Sequence, residues 1–215
     1  ICNCIHAAQV MHGDDLAVAC RRAVNDWIVA EWLDRDPRLR ASIVVPIQNP
    51  ELAVEEIERC ARDRRFVQVL LPGAADMPYG RRQYHPIFAA AERHGLAVGI
   101  HAGTSHLSAP TAIGWSSSFL ADYAAFSTIA EGQLMSLIVE GVFTKFPGLK
   151  VVFMETGFMW YPAFIWRANK TWRGVRQEIP WVKVPPSEVA EAHVRFTLQP
   201  VDAPPAPEDI ERMLD

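Results

Sequence analysis

Short apolar runs alternate with amphipathic stretches along the whole of this 215-residue chain, and that alternation restricts it to an α/β architecture. The runs are Ile1 to Ala7, Ala41 to Pro46, Phe66 to Leu71, Val98 to His101, Lys150 to Met154 and His193 to Leu198. Each has the length of a strand and is followed by a helix or by a loop and helix, as parallel strands joined by right-handed crossovers require. Helices are predicted over Asp14 to Asp34, from Asn49-Pro50 to near Arg62, over Tyr84 to His94, Phe119 to Phe143 and Trp160 to Val175, with a last short one beginning near Pro207. In the first of them Leu16, Cys20, Val24, Trp27, Ile28 and Trp32 fall along one side, the expected core face.

These β-α units are enough for an open sheet and two short of a closed (β/α)8 barrel. Doubly wound open sheets that bind nucleotides carry a phosphate-cradling loop, yet neither G-x-G-x-x-G nor G-x-x-x-x-G-K-[ST] occurs here. The expectation is a single domain over residues 1–215, a barrel lacking its first and last strands. The chain opens on Ile rather than Met, with neither a charged leader nor a hydrophobic signal region, which suggests either a trimmed protein or an omitted amino-terminal piece.

Composition narrows the partners. The formal net charge is -4 and the Lys and Arg residues are scattered, so the basic footprint of a nucleic-acid-binding protein is missing. The apolar runs are far too short to span a membrane. Cys2, Cys4, Cys20 and Cys60 form no Cys-x-x-Cys pair and are too few for a disulfide scaffold, which fits a reducing cytoplasm. Cys2, Cys4 and His6 alternate on one strand and read as a buried strand face rather than a metal cluster.

Two strand ends carry chemistry. Val98-Gly-Ile-His-Ala-Gly103 is an apolar run that ends in an imidazole, His101, before a polar loop. Lys150-Val-Val-Phe-Met-Glu155-Thr-Gly157 repeats the pattern with a carboxylate. Parallel α/β folds bind ligands at the carboxyl ends of their strands, so an imidazole and a carboxylate there suit a metal ligand and a proton-transfer group. His101 could equally be a core histidine, and Glu155 a buried carboxylate paired with Arg167 or Arg195. His106, in the loop after His101, and Trp160 are candidates for shaping a substrate pocket. The other tryptophans of that helix, Trp166 and Trp172, read as packing. No G-x-S-x-G turn presents a nucleophile, so an α/β-hydrolase mechanism has no support.

Gly141-Val-Phe-Thr-Lys-Phe-Pro-Gly-Leu-Lys-Val-Val-Phe-Met-Glu-Thr-Gly-Phe-Met-Trp-Tyr-Pro162, with Trp166-Arg167, Pro180-Trp181, Pro185-Pro-Ser187 and His193-Val-Arg-Phe-Thr-Leu-Gln-Pro200, resembles the amidohydrolase-related family. That family includes the aminocarboxymuconate-semialdehyde decarboxylase-like and resorcylate decarboxylase-like enzymes. Arg22-Ala-Val-Asn-Asp-Trp27, Asp36-Pro-Arg-Leu-Arg-Ala41 and Val98 to Gly103 extend the resemblance over the whole chain.

The resemblance implies a distorted TIM (β/α)8 barrel, with these residues covering strands 2 to 7, and one divalent metal ion, zinc or manganese, in its mouth. His101 matches the metal ligand that ends the fifth strand. The first-strand ligand pair and the eighth-strand aspartate match nothing in these residues. Glu155 stands where decarboxylase members carry a histidine, and Asn169 where relatives tend to have aspartate. The expected activity is hydrolysis or non-oxidative decarboxylation of a small, aromatic or carboxylated molecule, with Glu155 transferring a proton. The alternative is a non-catalytic barrel that binds a small ligand or partner after losing its metal site. The aromatic residues from Trp160 to Trp181 also suggest a homodimer.

Overall fold

The computed structural model describes residues 11, 13–103, 109, 111, 114–204 and 206. The first predicted strand, the helix near Pro207, His6 and His106 lie outside the described residues. Within them, five strands form one parallel sheet: β1 (Ala41–Val44), β2 (Phe66–Pro72), β3 (Ala97–His101), β4 (Val151–Met154) and β5 (Val194–Phe196). The sheet order is β1-β2-β3-β4-β5. Each strand therefore lies beside its predecessor, the winding of a (β/α) barrel rather than of a doubly wound sheet, whose order reverses part-way across.

Helices occupy the connections: α1 (Asp14–Ile28), continued by a π turn over Val29–Leu33, α2 (Pro50–Cys60), α3 (His85–Arg93), α4 (Phe119–Ala124), α5 (Ser127–Val139), α6 (Val142–Lys145), α7 (Tyr161–Val175) and α8 (Pro186–His193). Where local chemistry is strong the boundaries agree with expectation. Asn49 caps α2 by accepting from the Leu52 amide, and Pro50 occupies its first turn. Two expectations needed correction. The stretch from Phe119 to Phe143 is three helices, because the chain turns at Ala125-Phe126 and again at Gly141, whose φ of 75° is left-handed. Helix α8 lies in a stretch for which the sequence predicted no helix. Pro186 begins it, as a residue without an amide donor can.

The pleat gives the sheet two chemically different faces. Ile43, Val69, Leu71, Val98, Ile100, Val151, Phe153 and Val194 join the main apolar core beneath the helices. The residues between them face the other way: Ser42 beside Gln68, then Val44, Leu70, Gly99 and Val152 in register, then Pro72, His101 and Met154. Val44 and Leu70 form their own small cluster with Met154. Gln68 donates to the Ser42 hydroxyl at 2.6 Å. At Gly99 an added Cβ would come within 2.8 Å of the Met154 sulfur, so glycine makes room for the long side chains of its neighbours.

The core face expected for α1 also needs correcting. Leu16, Trp27 and Trp32 are exposed, while Ala17, Arg21, Asn25 and Ile28 are buried. This helix lies beside β1, and its buried face combines the apolar Ala17 and Ile28 with the polar Arg21 and Asn25, the latter serving strand backbone groups. The Asn25 side chain takes the Val44 amide at 3.0 Å and gives to the Val44 carbonyl at 2.9 Å, as a neighbouring strand would. It also donates to Glu56 at 2.7 Å. The Glu56 carboxylate is buried and accepts from Arg59 and the Cys60 thiol as well. Burial opposes its ionisation, but the hydrogen bonds from Arg59, Asn25 and Cys60 prevail and hold its carboxyl below the ordinary range.

A carboxyl with a lowered folded pKa stabilises the fold above its unfolded titration range and stops doing so as pH falls through the folded value. The urea midpoint of the wild type is therefore expected to drop on acidification from pH 7 to pH 4, and Glu56→Gln to flatten that dependence. At pH 7 the substitution should cost roughly 2 kcal/mol, because an amide cannot accept all the hydrogen bonds that Asn25, Arg59 and Cys60 give to the buried carboxylate.

Candidate active site

All five strands run parallel, so their carboxyl ends share one edge. His101 is the last residue of β3 and lies on the inner face, with its side chain 15% exposed. Its Nδ1–H donates to the Ala102 carbonyl, which makes Nε2 the acceptor nitrogen of the ring. That Nε2 lies 3.7 Å from Oε1 of Glu155. The two strand-end groups singled out in the sequence thus come together.

The backbone explains how. Met154, the last residue of β4, points to the inner face, so a continued pleat would send Glu155 toward the helices. Instead Glu155 has φ 56°, the only left-handed non-glycine among the described residues. This turn brings its carboxylate back to His101. It costs an L-residue about 1–2 kcal/mol and must be held by its surroundings. The Glu155 amide donates to the Thr197 hydroxyl at 3.0 Å, while the Thr197 amide donates to the Phe153 carbonyl at 3.0 Å, so the end of β5 pins the end of β4. The Glu155 side chain is 55% exposed, which excludes the buried carboxylate paired with Arg167 or Arg195.

Trp160 underpins the same turn. Its indole N–H reaches the Thr156 carbonyl at 3.2 Å and the Gly157 carbonyl at 3.1 Å, while its ring packs edge-on against Phe164 and Phe196. Asn169 bonds Ser187 in both directions, accepting from its amide at 3.0 Å and donating to its hydroxyl at 2.8 Å. The asparagine therefore ties α7 to the first turn of α8 without an ion pair.

The loop after β2 forms another part of the rim, clasped by α5. Gln133 accepts from the Tyr79 amide at 2.9 Å and donates to the Gly73 carbonyl at 3.1 Å, and Ser136 accepts from the Gly80 amide at 3.0 Å. An added Cβ at Gly80 would strike the Ser136 carbonyl, and one at Gly73 would press within 3.1 Å of the His101 carbonyl. Gln133 and Ser136 are polar residues of a largely apolar helix, and nothing in the sequence says which backbone groups they serve. Among the described residues, no group of three or more His, Cys, Asp or Glu side chains is arranged to hold a metal ion. The donors present are one imidazole nitrogen and one carboxylate, a chemically suitable but partial set for a divalent cation.

The chain is similar to known proteins over most of its length. A family model described as amidohydrolase matches residues 3–215. The gamma-resorcylate decarboxylase of Rhodococcus jostii (strain RHA1) is 26% identical over 207 residues, covering 86% of this chain and 57% of that protein. The chain thus spans little more than half the length of this curated relative. Among solved structures, 5-carboxyvanillate decarboxylase LigW from Sphingomonas paucimobilis superposes with a TM-score of 0.71 at 24% identity, covering 91% of this chain and 58% of that one. A dihydroxybenzoic acid decarboxylase from Polaromonas sp. JS666, solved with manganese and the inhibitor 2-nitroresorcinol, gives a TM-score of 0.69 at 23% identity, covering 88% and 59%.

The left-handed backbone at Glu155 generates a stability test. Glu155→Gly should raise the urea-unfolding free energy by about 0.5–1 kcal/mol, the relief of strain exceeding the extra unfolded-state entropy of glycine. The exposed contact with His101 contributes little against this gain.

Proposed function

Because the chain belongs to the amidohydrolase family, we propose that it forms a single barrel domain of a metal-dependent enzyme that decarboxylates a small aromatic carboxylate without oxidation. The observation that carries this reading is the inner-face imidazole of His101 with its acceptor nitrogen 3.7 Å from the Glu155 carboxylate, at the common carboxyl edge of a parallel sheet. The relatives named as decarboxylases of hydroxylated aromatic acids support the reaction class. Hydrolysis of a related substrate is the second reaction this family makes available.

In this reading His101 holds a divalent cation through Nε2, with the remaining ligands supplied from outside the described residues. Manganese is favoured by its presence in the Polaromonas structure, with zinc as the competing ion. The cation supplies positive charge against a substrate carboxylate and the oxygen beside it. Loss of carbon dioxide leaves the electrons of the broken C–C bond on the ring, and a proton must take the vacated position. Glu155 delivers that proton: it stands beside His101 and, being half exposed, can be reprotonated by water. Trp160 acts on the site by fixing the turn that aims Glu155, and His106, which lies outside the described residues, is proposed as a substrate-binding residue.

The substrate is a small molecule. No helix among the described residues is long and apolar enough to cross a membrane. A cytoplasmic homodimer is the setting proposed, from the cysteine usage and from Trp166 and Trp181, both exposed.

Two measurements test the proposal. Purified full-length protein is expected to contain about one equivalent of divalent metal, and His101→Ala to lose most of it. Manganese-loaded wild type should release carbon dioxide from 2,6-dihydroxybenzoate, and Glu155→Gln should lower kcat by about 100-fold or more with little change in KM. Metal content unaffected by His101→Ala, or no release of carbon dioxide from any hydroxybenzoate, would favour the alternative of a ligand-binding barrel.

A further inference from the structure

Helix α5 lacks the polar outer side that a helix covering a parallel sheet ordinarily turns to water. Apolar residues fall on every side of it, and Glu131 is its only charged residue. Helices that are apolar all round are found buried. The inner side of α5 meets the core through Ala130, Leu134, Leu137 and Ile138. Its outer side, with Gly132, Met135 and Val139, instead opens onto a groove of about 610 Å³.

The far wall of the groove is α7, where Phe164, Ala168, Trp172 and Val175 recur every three or four residues and so form one ridge. The Trp172 indole nitrogen is buried and has no hydrogen-bond partner among the described residues. The charged residues of the groove are Glu131, Arg167 and Glu178, the last of them exposed beyond the end of α7. Among the described residues neither Glu131 nor Arg167 has an ion-pair partner. Burial raises the Glu131 carboxyl above its ordinary range, and no cation offsets the shift.

The two helices lie on successive crossovers, β3 to β4 and β4 to β5, which both return from the carboxyl to the amino edge of the sheet, so α5 and α7 run parallel. Glu131 and Arg167 each stand in the second turn of their helix and are therefore close to level across the groove.

We propose that this groove pairs with the same groove of a second copy of the chain about a two-fold axis parallel to the helices, setting each α5 over the other copy's α7 and each Glu131 against the partner's Arg167. This gives the proposed homodimer its surface and rests on that reading. An isologous interface makes every contact twice, so one free carboxylate and one free guanidinium per copy become two ion pairs, in surroundings drier than open water. The same contact covers the outer side of α5 and the ridge of α7. With the axis along the helices, both mouths point the same way and stay open to substrate. Trp166 lies about 160° around α7 from Ala168, at 100° per residue, and takes no part.

Sedimentation equilibrium of purified full-length protein tests the surface. Wild type is expected to be a dimer at micromolar concentration. Glu131→Arg and Arg167→Glu should each weaken association about 100-fold or more, because each sets like charges opposite one another twice. Mixed in equal amounts, the two variants should regain wild-type association, since every junction of the mixed pair joins opposite charges. Gly132→Lys places a side chain where a Cβ meets nothing within 4 Å in the chain, so it keeps the fold and should also abolish the dimer. Trp166→Ser should leave association unchanged. A dimer that persists in the charge variants and in Gly132→Lys, one that does not recover on mixing, or one lost in Trp166→Ser overturns this surface while the homodimer itself stands. A monomeric wild type overturns both, and a melting temperature then lowered by Gly132→Lys would show that a segment of the same chain covers the groove instead.

Discussion

Parallel pairing in strict chain order is the constraint on which the rest of this molecule depends. It sends every crossover back over one face of the sheet, covers that face with helices, and gathers all strand ends on one edge. The covered face must then be apolar, as Ile43, Val69, Val98, Val151 and Phe153 are. The opposite face is released from that demand and can carry Ser42, Gln68 and His101. An imidazole at the end of β3 is thus compatible with the core because the core lies on the other side of the same strand.

The site is assembled by backbone devices as much as by side chains. A regular β4 would have turned Glu155 away from His101, and the left-handed residue reverses that. Thr197 from beyond β5 and Trp160 from beneath the turn hold the reversal in place. At the other end of the described sheet, Asn25 bonds both the amide and the carbonyl of Val44 in β1, and Glu56 fixes Asn25. Two polar junctions, one at each flank, therefore hold the strands whose ends form the mouth.

The sequence made the strands and most helices readable because buried strands are short apolar runs and some helix boundaries are chemically explicit, as at Asn49-Pro50, where the asparagine caps α2. It also made His101 and Glu155 readable, since each polar side chain closes an apolar run. It misled at α1, where Trp27 and Trp32 satisfied a helical period yet face solvent, and Arg21 and Asn25 are buried instead. Periodicity counts apolarity, and a helix that serves a strand edge is selected for hydrogen bonding. The contact between His101 and Glu155 could not be read either, because it depends on a single backbone dihedral that glutamate does not advertise. Nor could the clasp of Gln133 and Ser136, whose partners are backbone groups more than fifty residues away.

Gly99 has a bearing on how such a site could change over time. The floor of the inner face is shaped at this level by Met154 and Gln68 leaning over a residue with no side chain, each from a neighbouring strand. A larger residue at position 99 would collide with both, and a smaller one at 154 would leave a void above the glycine. Both neighbours meet Gly99 through the ends of long, flexible side chains, so a larger residue at 99 would be taken up by their shifting, and a paired exchange at 99 and 154 would preserve volume without that shift. The level of the inner face here is therefore a coupled trait of three strands, whereas Gly80 on the rim is fixed by the Ser136 backbone, which has no such freedom to give way.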